Sequence, residues 1–255
     1  MNIKGEVYIP AGPTGPFPGL IVCHGIPAKV KEPDDRGYPL LAERFCQEGF
    51  TVLIFNFRGA GLSEGNFDLL GWTRDLEGAL DYFIHHPGVD PTRIFLMGFS
   101  GGGAVSIYVA AQRKEVAALV SCASPAEFRD LITGKSLVDF LSHSRDVGII
   151  RDANFPLSLK DWKDGFRTVK PLKWIGRIPP RPLLIIHGTE DDVVNINHAR
   201  KLYDKVRGEA DLFLIEGAGH RLRVEERAMQ KAMEWLRKIA FSNQQKNFIN
   251  GFAYR

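Results

Sequence analysis

Five residues, Gly98, Phe99, Ser100, Gly101 and Gly102, separate an apolar, β-forming run at 93–97 from a stretch of small and apolar residues at 103–111. The first run reads as a buried strand and the second as a buried helix, so the serine falls on a strand-to-helix turn between glycines. A turn this sharp leaves no room for a Cβ at its flanks, which suits Gly98 and Gly102. The Ser100 hydroxyl is then held above the sheet, on the first turn of a helix whose free N–H groups favour negative charge.

On both sides of that turn, strands alternate with helices. The pattern predicts strands at 6–10, 19–24, 51–57, 93–98, 116–122, 182–187 and 211–216, and helices near 36–48, 73–85, 101–113, 196–207 and 223–240. Thr51, Val52, Leu53, Ile54 and Phe55 show no polar alternation, as expected of a strand covered by helices on both faces. Leu76, Ala79, Leu80 and Phe83 repeat at helical spacing. Such units imply an α/β fold with a mostly parallel central sheet and right-handed crossovers. The alternation breaks between 124 and 181. Residues 1–123 and 182–241 are therefore read as one core, 124–181 as a small insertion, and 242–255 as a polar C-terminal extension.

A serine hydroxyl is a weak nucleophile and needs a base, which in turn needs a carboxylate to orient it. Downstream of Ser100, the strand at 182–187 leads into Gly188, Thr189 and three consecutive acids, Glu190, Asp191 and Asp192; spacing alone does not choose among them. The strand at 211–216 leads into Gly217, Ala218, Gly219 and His220. Both groups follow the C-terminal ends of buried strands, where ligands bind in open α/β sheets.

With these motifs the chain resembles the α/β-hydrolase superfamily, in its branch of small serine esterases and acyl-peptidase-like hydrolases. Four motifs carry the likeness, from residue 19 to residue 220: Cys23-His24-Gly25-Ile26, Phe57-Arg58-Gly59-Ala60-Gly61-Leu62-Ser63, the nucleophile elbow at Ser100, and His187-Gly188 with Asp191 and Gly219-His220. The resemblance implies Ser100 as nucleophile, His220 as general base and acid, and Asp191 as the orienting member of a catalytic triad. It also implies an oxyanion hole from the backbone N–H groups of Ile26 and Gly101. His24 and His187 are expected to be structural. Asn56 stands where many relatives have aspartate, a departure that bears on the loop rather than the chemistry. The insertion occupies the usual place of a helical cap. Its aromatics, Phe128, Phe140, Phe155, Trp162, Phe166 and Trp174, either wall an acyl or aryl pocket over Ser100 or pack the cap onto the sheet.

Composition narrows the setting. A 255-residue chain with 44% hydrophobic residues suits one well-filled α/β domain. Three cysteines, Cys23, Cys46 and Cys122, all in apolar contexts, argue against a disulfide framework and for a reducing, cytoplasmic compartment. There is no secretory-signal pattern and no apolar run of spanning length. A net charge of +3 is too small to imply nucleic acid as a partner. Its distribution is uneven: residues 126–181 hold eleven Lys and Arg against seven Asp and Glu, leaving the remainder near −1. No phosphate or dinucleotide fingerprint appears, and the chemistry needs no metal or organic cofactor. His85, His86, His143 and His198 read as surface residues.

The expected activity is carboxylic ester hydrolysis through an acyl-enzyme, short acyl and cinnamoyl-type esters included. Alternatives with the same triad are peptide or acyl-peptide hydrolysis and acyl transfer; a non-catalytic binding protein ranks behind these. The expected substrate is a small ester or short peptide. Peptidases of the prolyl oligopeptidase type usually carry a large extra domain and often a tyrosine after the nucleophile, whereas this sequence shows no such domain and has Gly101 there.

Overall fold

Among the described residues, the apolar runs become seven strands: β1 (Gly5–Tyr8), β2 (Phe17–Cys23), β3 (Thr51–Phe55), β4 (Val89–Phe99), β5 (Val116–Cys122), β6 (Leu183–Gly188) and β7 (Asp211–Ile215). The structure is a computed structural model that describes residues 1–12, 15–28 and 36–251, with side chains described as far as residue 242. One sheet contains all seven strands in the order β1-β3-β2-β4-β5-β6-β7. Only β1 is antiparallel, paired with β3; every other pairing is parallel.

Among the described residues, eight α-helices connect or follow these strands: α1 (Gly37–Gln47), α2 (Leu69–Ile84), α3 (Gly101–Ala110), α4 (Gly134–Asp146), α5 (Leu159–Val169), α6 (Pro171–Trp174), α7 (Asn197–Lys205) and α8 (Glu226–Gly251). Alternate residues of each central strand enter different cores. Leu20, Val52, Met97, Val120 and Ile186 pack under α1 and α8, which contribute Phe45 and Leu236. Ile21, Leu53, Leu96, Leu119 and Ile185 pack under α2, α3 and α7, with Trp72, Ile107 and Leu202. Burial on both faces is why these strands carry no polar alternation.

Register brings the reactive loops together. Cys23 lies beside Phe55 on one side and Gly98 on the other, and Gly98 lies beside Ser121. The loops after β2, β3, β4 and β5 therefore leave the sheet at one level, its carboxyl edge.

Three boundaries differ by four residues or more from the sequence expectation. β4 begins at Val89, because Val89 and Asp90 pair with Phe17 and Pro18 before the register shifts at Gly19. α2 begins at Leu69, capped by Asp68, whose carboxylate accepts the Leu70 N–H at 3.2 Å. The backbone of α8 continues to Gly251, through most of the segment set apart as an extension; its Gln and Lys residues are good helix formers and no proline stops them. Residues 252–255 lie outside the described residues.

The insertion at 124–181 contains α4, α5 and α6 and packs on the α2–α3 side. The Trp162 indole N–H donates to the Phe67 carbonyl (3.1 Å), and the Phe67 N–H donates to the Ile149 carbonyl (2.7 Å). No helix among the described residues is long and apolar enough to cross a membrane.

Candidate active site

Ser100 sits at φ 51° and ψ −121°, a region that an L-residue enters only under constraint. The constraint is steric. A Cβ on Gly102 would lie 2.7 Å from the Cys23 carbonyl oxygen, and one on Gly98 would lie 2.6 Å from both Gly103 Cα and Ser106 Oγ. With α3 pressed this closely against β2 and β4, the chain turns within one residue, and Ser100 is that residue. Its N–H donates to the Cys122 carbonyl at 2.9 Å, and α3 starts at Gly101.

The acid and the histidine come from the next two strand ends. Asp191 follows β6 and His220 follows β7, and hydrogen bonds join the two loops: Thr189 N–H to Ile215 O (3.0 Å), Glu190 N–H to Ala218 O (2.9 Å). His220 Nδ1 lies 2.8 Å from Asp191 Oδ2 and 3.0 Å from Oδ1. Of the three consecutive acids, Asp191 is buried and engages His220, while Glu190 and Asp192 are exposed. Asp191 Oδ1 also accepts the N–H groups of Val193 (3.0 Å) and Val194 (2.7 Å). Burial by itself would raise the Asp191 carboxyl, but donors from His187, His220 and Val194 outweigh it and hold the group well below the ordinary carboxylate range. Asp191 is thus a fixed anion against which His220 is oriented.

His24 pins the loop after β2. Its Nε2 accepts the Phe57 N–H at 3.0 Å, so its Nδ1 carries the proton and donates to the Gly25 carbonyl at 2.7 Å. Burial lowers its pKa despite that carbonyl, and the ring packs edge-on against Phe57 and Trp72. A Cβ on Gly101 would lie 3.7 Å from Ile26 Cγ1, so the two expected oxyanion residues are neighbours at the start of α3. Such an arrangement suits the negative charge that develops on a carbonyl oxygen when its carbon is attacked from Ser100.

Ser100, His220 and Ile26 line one cavity of about 1320 Å³. Among the described residues, no hydrogen bond joins Ser100 Oγ to His220. The cap aromatics are elsewhere: Phe128, Phe140, Trp162 and Phe166 are buried in the core with Phe67, Phe155 is partly buried against it, and Trp174 packs on Tyr108. None of the six lines the cavity. Of the two readings open for them, the packing one holds, because the α2–α3 face offers these rings a large apolar surface to cover. The cavity walls are instead formed by Tyr38, Leu62, Phe99, Ile149 and Arg151. No motif marks Tyr38 or Arg151 in the sequence.

Of the histidines read as surface residues, His143 and His198 are half-buried and bonded to backbone far along the chain. His143 Nε2 reaches the Pro27 carbonyl at 3.2 Å, linking α4 to the loop after β2. His198 Nδ1 accepts the Ala126 N–H at 3.0 Å, where the chain enters the cap. Neither is signalled by sequence, since each bonds only backbone groups distant along the chain.

The polyketide transferase ATR5 of Stachybotrys chlorohalonatus is 25% identical over 94% of this chain and 94% of its own length. The uncharacterized protein YfhR of Escherichia coli O157:H7 is 27% identical over 68% of this chain; the match spans 54% of YfhR, about half that relative's length. Est1E from Butyrivibrio proteoclasticus, in its structure with ferulic acid bound, superposes with a TM-score of 0.68 at 18% identity, covering 94% of each chain. At that identity the likeness concerns the fold. The model of the prolyl oligopeptidase family matches residues 40–243, with Gly101 in the place where such peptidases often have tyrosine. The chain is a member of the prolyl oligopeptidase family, built on the α/β-hydrolase fold.

Proposed function

We propose that this protein is a serine hydrolase that cleaves carboxylic esters through an acyl-enzyme on Ser100. The observation that carries the reading is the Asp191–His220 pair at 2.8 Å, opening on the same cavity as the constrained Ser100 elbow. His220 takes the Ser100 proton as Oγ bonds to the carbonyl carbon. It then gives that proton to the departing alcohol as the ester C–O bond breaks. Water attacks the acyl-enzyme in turn, loses a proton to His220, and the Oγ–acyl bond breaks with the proton returned to Ser100. Asp191 holds the imidazole in the required tautomer and stabilises its cation. The Ile26 and Gly101 N–H groups receive the oxyanion, each contributing about 3–4 kcal/mol to the transition state. Hydrogen bonds in such sites are often incomplete before substrate arrives, so the Ser100–His220 bond is expected to close in the Michaelis complex.

The ferulic acid bound to Est1E favours carboxylic esters, cinnamoyl types included, within the reach of this cavity. Membership of a peptidase family supports a second reading, amide cleavage by the same residues. The name of ATR5 supports a third, in which an acceptor other than water takes the acyl group. Initial rates on p-nitrophenyl esters of increasing acyl length, a cinnamoyl ester and aminoacyl anilides separate them, with Ser100→Ala as control. Ester turnover that vanishes in the variant, with anilides uncut, supports the esterase. Preferential anilide cleavage moves the assignment to peptidase.

A further inference from the structure

Two segments far apart in sequence build one wall of the cavity that holds Ser100 and His220. Gly61 and Leu62 come from the loop after β3, and Ile149 and Arg151 from the stretch of the cap between α4 and α5. Gly59 and Gly61 stand at φ 80° and 51°, values that a residue with a Cβ resists. With the backbone turned in this way, alternate carbonyls of the loop converge on one side chain. The Arg151 guanidinium donates to the carbonyl oxygens of Gly59 (2.8 Å), Gly61 (2.8 Å) and Ser63 (2.9 Å), and its Nε donates to Gly148 in its own segment (3.0 Å).

Other bonds hold the two ends of the loop. The N–H groups of Arg151 and Asp152 both donate to Asn66 Oδ1 (2.7 and 2.9 Å), and the Phe67 N–H donates to the Ile149 carbonyl (2.7 Å). The cap backbone is thereby fixed to the far end of the loop. At its base, the Ser63 hydroxyl donates to the Asn56 carbonyl (2.6 Å), and His24 accepts the Phe57 N–H. Leu62 lies between these anchors and is 81% exposed, so packing does little to place it. Its position on the wall follows from the backbone on either side, at Gly61 and Ser63, whose carbonyls Arg151 grips. A guanidinium presents its donors in a fixed planar fork and so holds several carbonyls at set angles, which a flexible ammonium does not.

We infer that Arg151 is a positioning residue for substrate selection: through the loop carbonyls it fixes Leu62 against the cavity, and the cap thereby sets how well this wall receives a long acyl chain. The inference rests on the esterase reading and adds a determinant of acyl length to it. Arg151 takes no part in the bond-making steps, so its removal should act on KM for long chains rather than on kcat.

Initial rates on p-nitrophenyl octanoate and p-nitrophenyl acetate give a long-to-short ratio of kcat/KM for each variant. A methylene seated on an apolar wall counts for about tenfold or more, so loosening the wall in Arg151→Gln should lower that ratio about three- to tenfold, carried by the octanoate KM. Arg151→Lys, which keeps donors but lacks the fork, should fall between the two. Combining Arg151→Gln with Leu62→Ala should lower the ratio no further than Leu62→Ala alone, because both changes act on one contact. An unchanged ratio in Arg151→Gln, with only Tm or both rates lowered, overturns the inference, as does a double variant whose losses add. If Arg151→Gln does not fold, Arg151→Lys decides, and a ratio equal to that of the unsubstituted protein overturns the inference. Should no ester be cleaved, the esterase reading falls separately. Chain-length preference is then read from calorimetric binding of 1-octaneboronic against 1-butaneboronic acid. The same preference in the unsubstituted protein and in Arg151→Gln overturns the inference, and so does binding of neither acid.

Discussion

His187 Nε2 lies 3.2 Å from Asp191 Oδ2, so the carboxylate that orients His220 receives a second histidine as well. The same Nε2 lies 2.7 Å from the Val194 carbonyl, which requires the proton on that nitrogen and fixes its role as donor. His187 is fully buried near the end of β6, one helical turn's spacing in sequence before the acid. It holds the Asp191 turn closed and shares the carboxylate's charge.

Replacing His187 should therefore act on catalysis through Asp191. His187→Leu removes the donor and should lower kcat/KM between about tenfold and a hundredfold by letting the acid and His220 shift. His187→Gln, which can return an N–H near the same place, should recover part of the loss. A carboxylate stripped of one donor acts more strongly on the imidazolium, so the acid limb of the pH profile should move to higher pH. A limb that stays in place while only thermal stability falls would show that His187 matters to folding alone.

The strain at Ser100 sets stability against activity. Ser100→Ala and Ser100→Gly should both lose turnover by orders of magnitude, since neither has a nucleophile. Glycine accepts φ 51°, ψ −121° readily and alanine does not. Urea unfolding should find Ser100→Gly more stable than Ser100→Ala by about 1 kcal/mol, after the greater freedom of glycine in the unfolded chain is subtracted. Equal midpoints would mean that the elbow stores no strain.

Trp162 and Leu62 should separate packing from specificity. Trp162 is buried among Phe67, Phe140 and Phe166, away from the cavity. Trp162→Ala should cost about 3–5 kcal/mol of stability and leave the ratio of long-chain to short-chain ester rates unchanged. Leu62 is 81% exposed on the cavity wall. Leu62→Ala should cost less than about 0.5 kcal/mol yet lower the relative rate on long acyl chains. The reverse outcome, with Trp162→Ala reshaping acyl preference, would return the cap aromatics to the substrate site.

Glu127 links the cap to α7 and makes that link sensitive to acid. Its carboxylate accepts from Lys201 Nζ (2.9 Å) and Lys170 Nζ (3.0 Å), and these two bonds hold its pKa down to about 2 against the opposing effect of burial. A group lowered in the folded state stabilises it above the ordinary glutamate pKa, and that stability fades as pH falls through the folded value. Glu127→Gln should thus lower stability at pH 7 by up to about 1 kcal/mol, the usual ceiling for pairs this open to water. Denaturant curves taken across the interval between the usual glutamate pKa and about 2 should show the difference shrinking as the pH drops. A difference that does not depend on pH would assign the effect to packing.

Much of the frame was legible from local pattern. Unbroken apolar runs such as 51–55 can only be strands covered on both faces, and the helical spacing of Leu76, Leu80 and Phe83 marks one buried stripe. Gly98 and Gly102 were legible too, because two residues without a Cβ around a serine, set between a strand and a helix, mark a turn too tight for side chains. Boundaries were less so: β4 reaches back to Val89 only because Phe17 and Pro18 lie beside it in the sheet. Local propensity does not contain that contact.

What the sequence determined by itself is the order of the elements and the chemical types at three strand ends: a serine, a run of acids and a histidine. These follow from periodicity and turn chemistry, which act between near neighbours. The tertiary structure alone decided which acid faces His220. Asp191 turns inward because the N–H groups of Val193 and Val194 and the buried His187 receive it, while Glu190 and Asp192 remain in water. It also decided that the cap aromatics fill the core and that Tyr38, Leu62 and Arg151 form the cavity wall. The burial of the Asp191 turn, the packing of the cap aromatics and the make-up of the cavity wall depend on which segments, distant along the chain, meet, and a side chain's burial is a property of that meeting rather than of its local sequence.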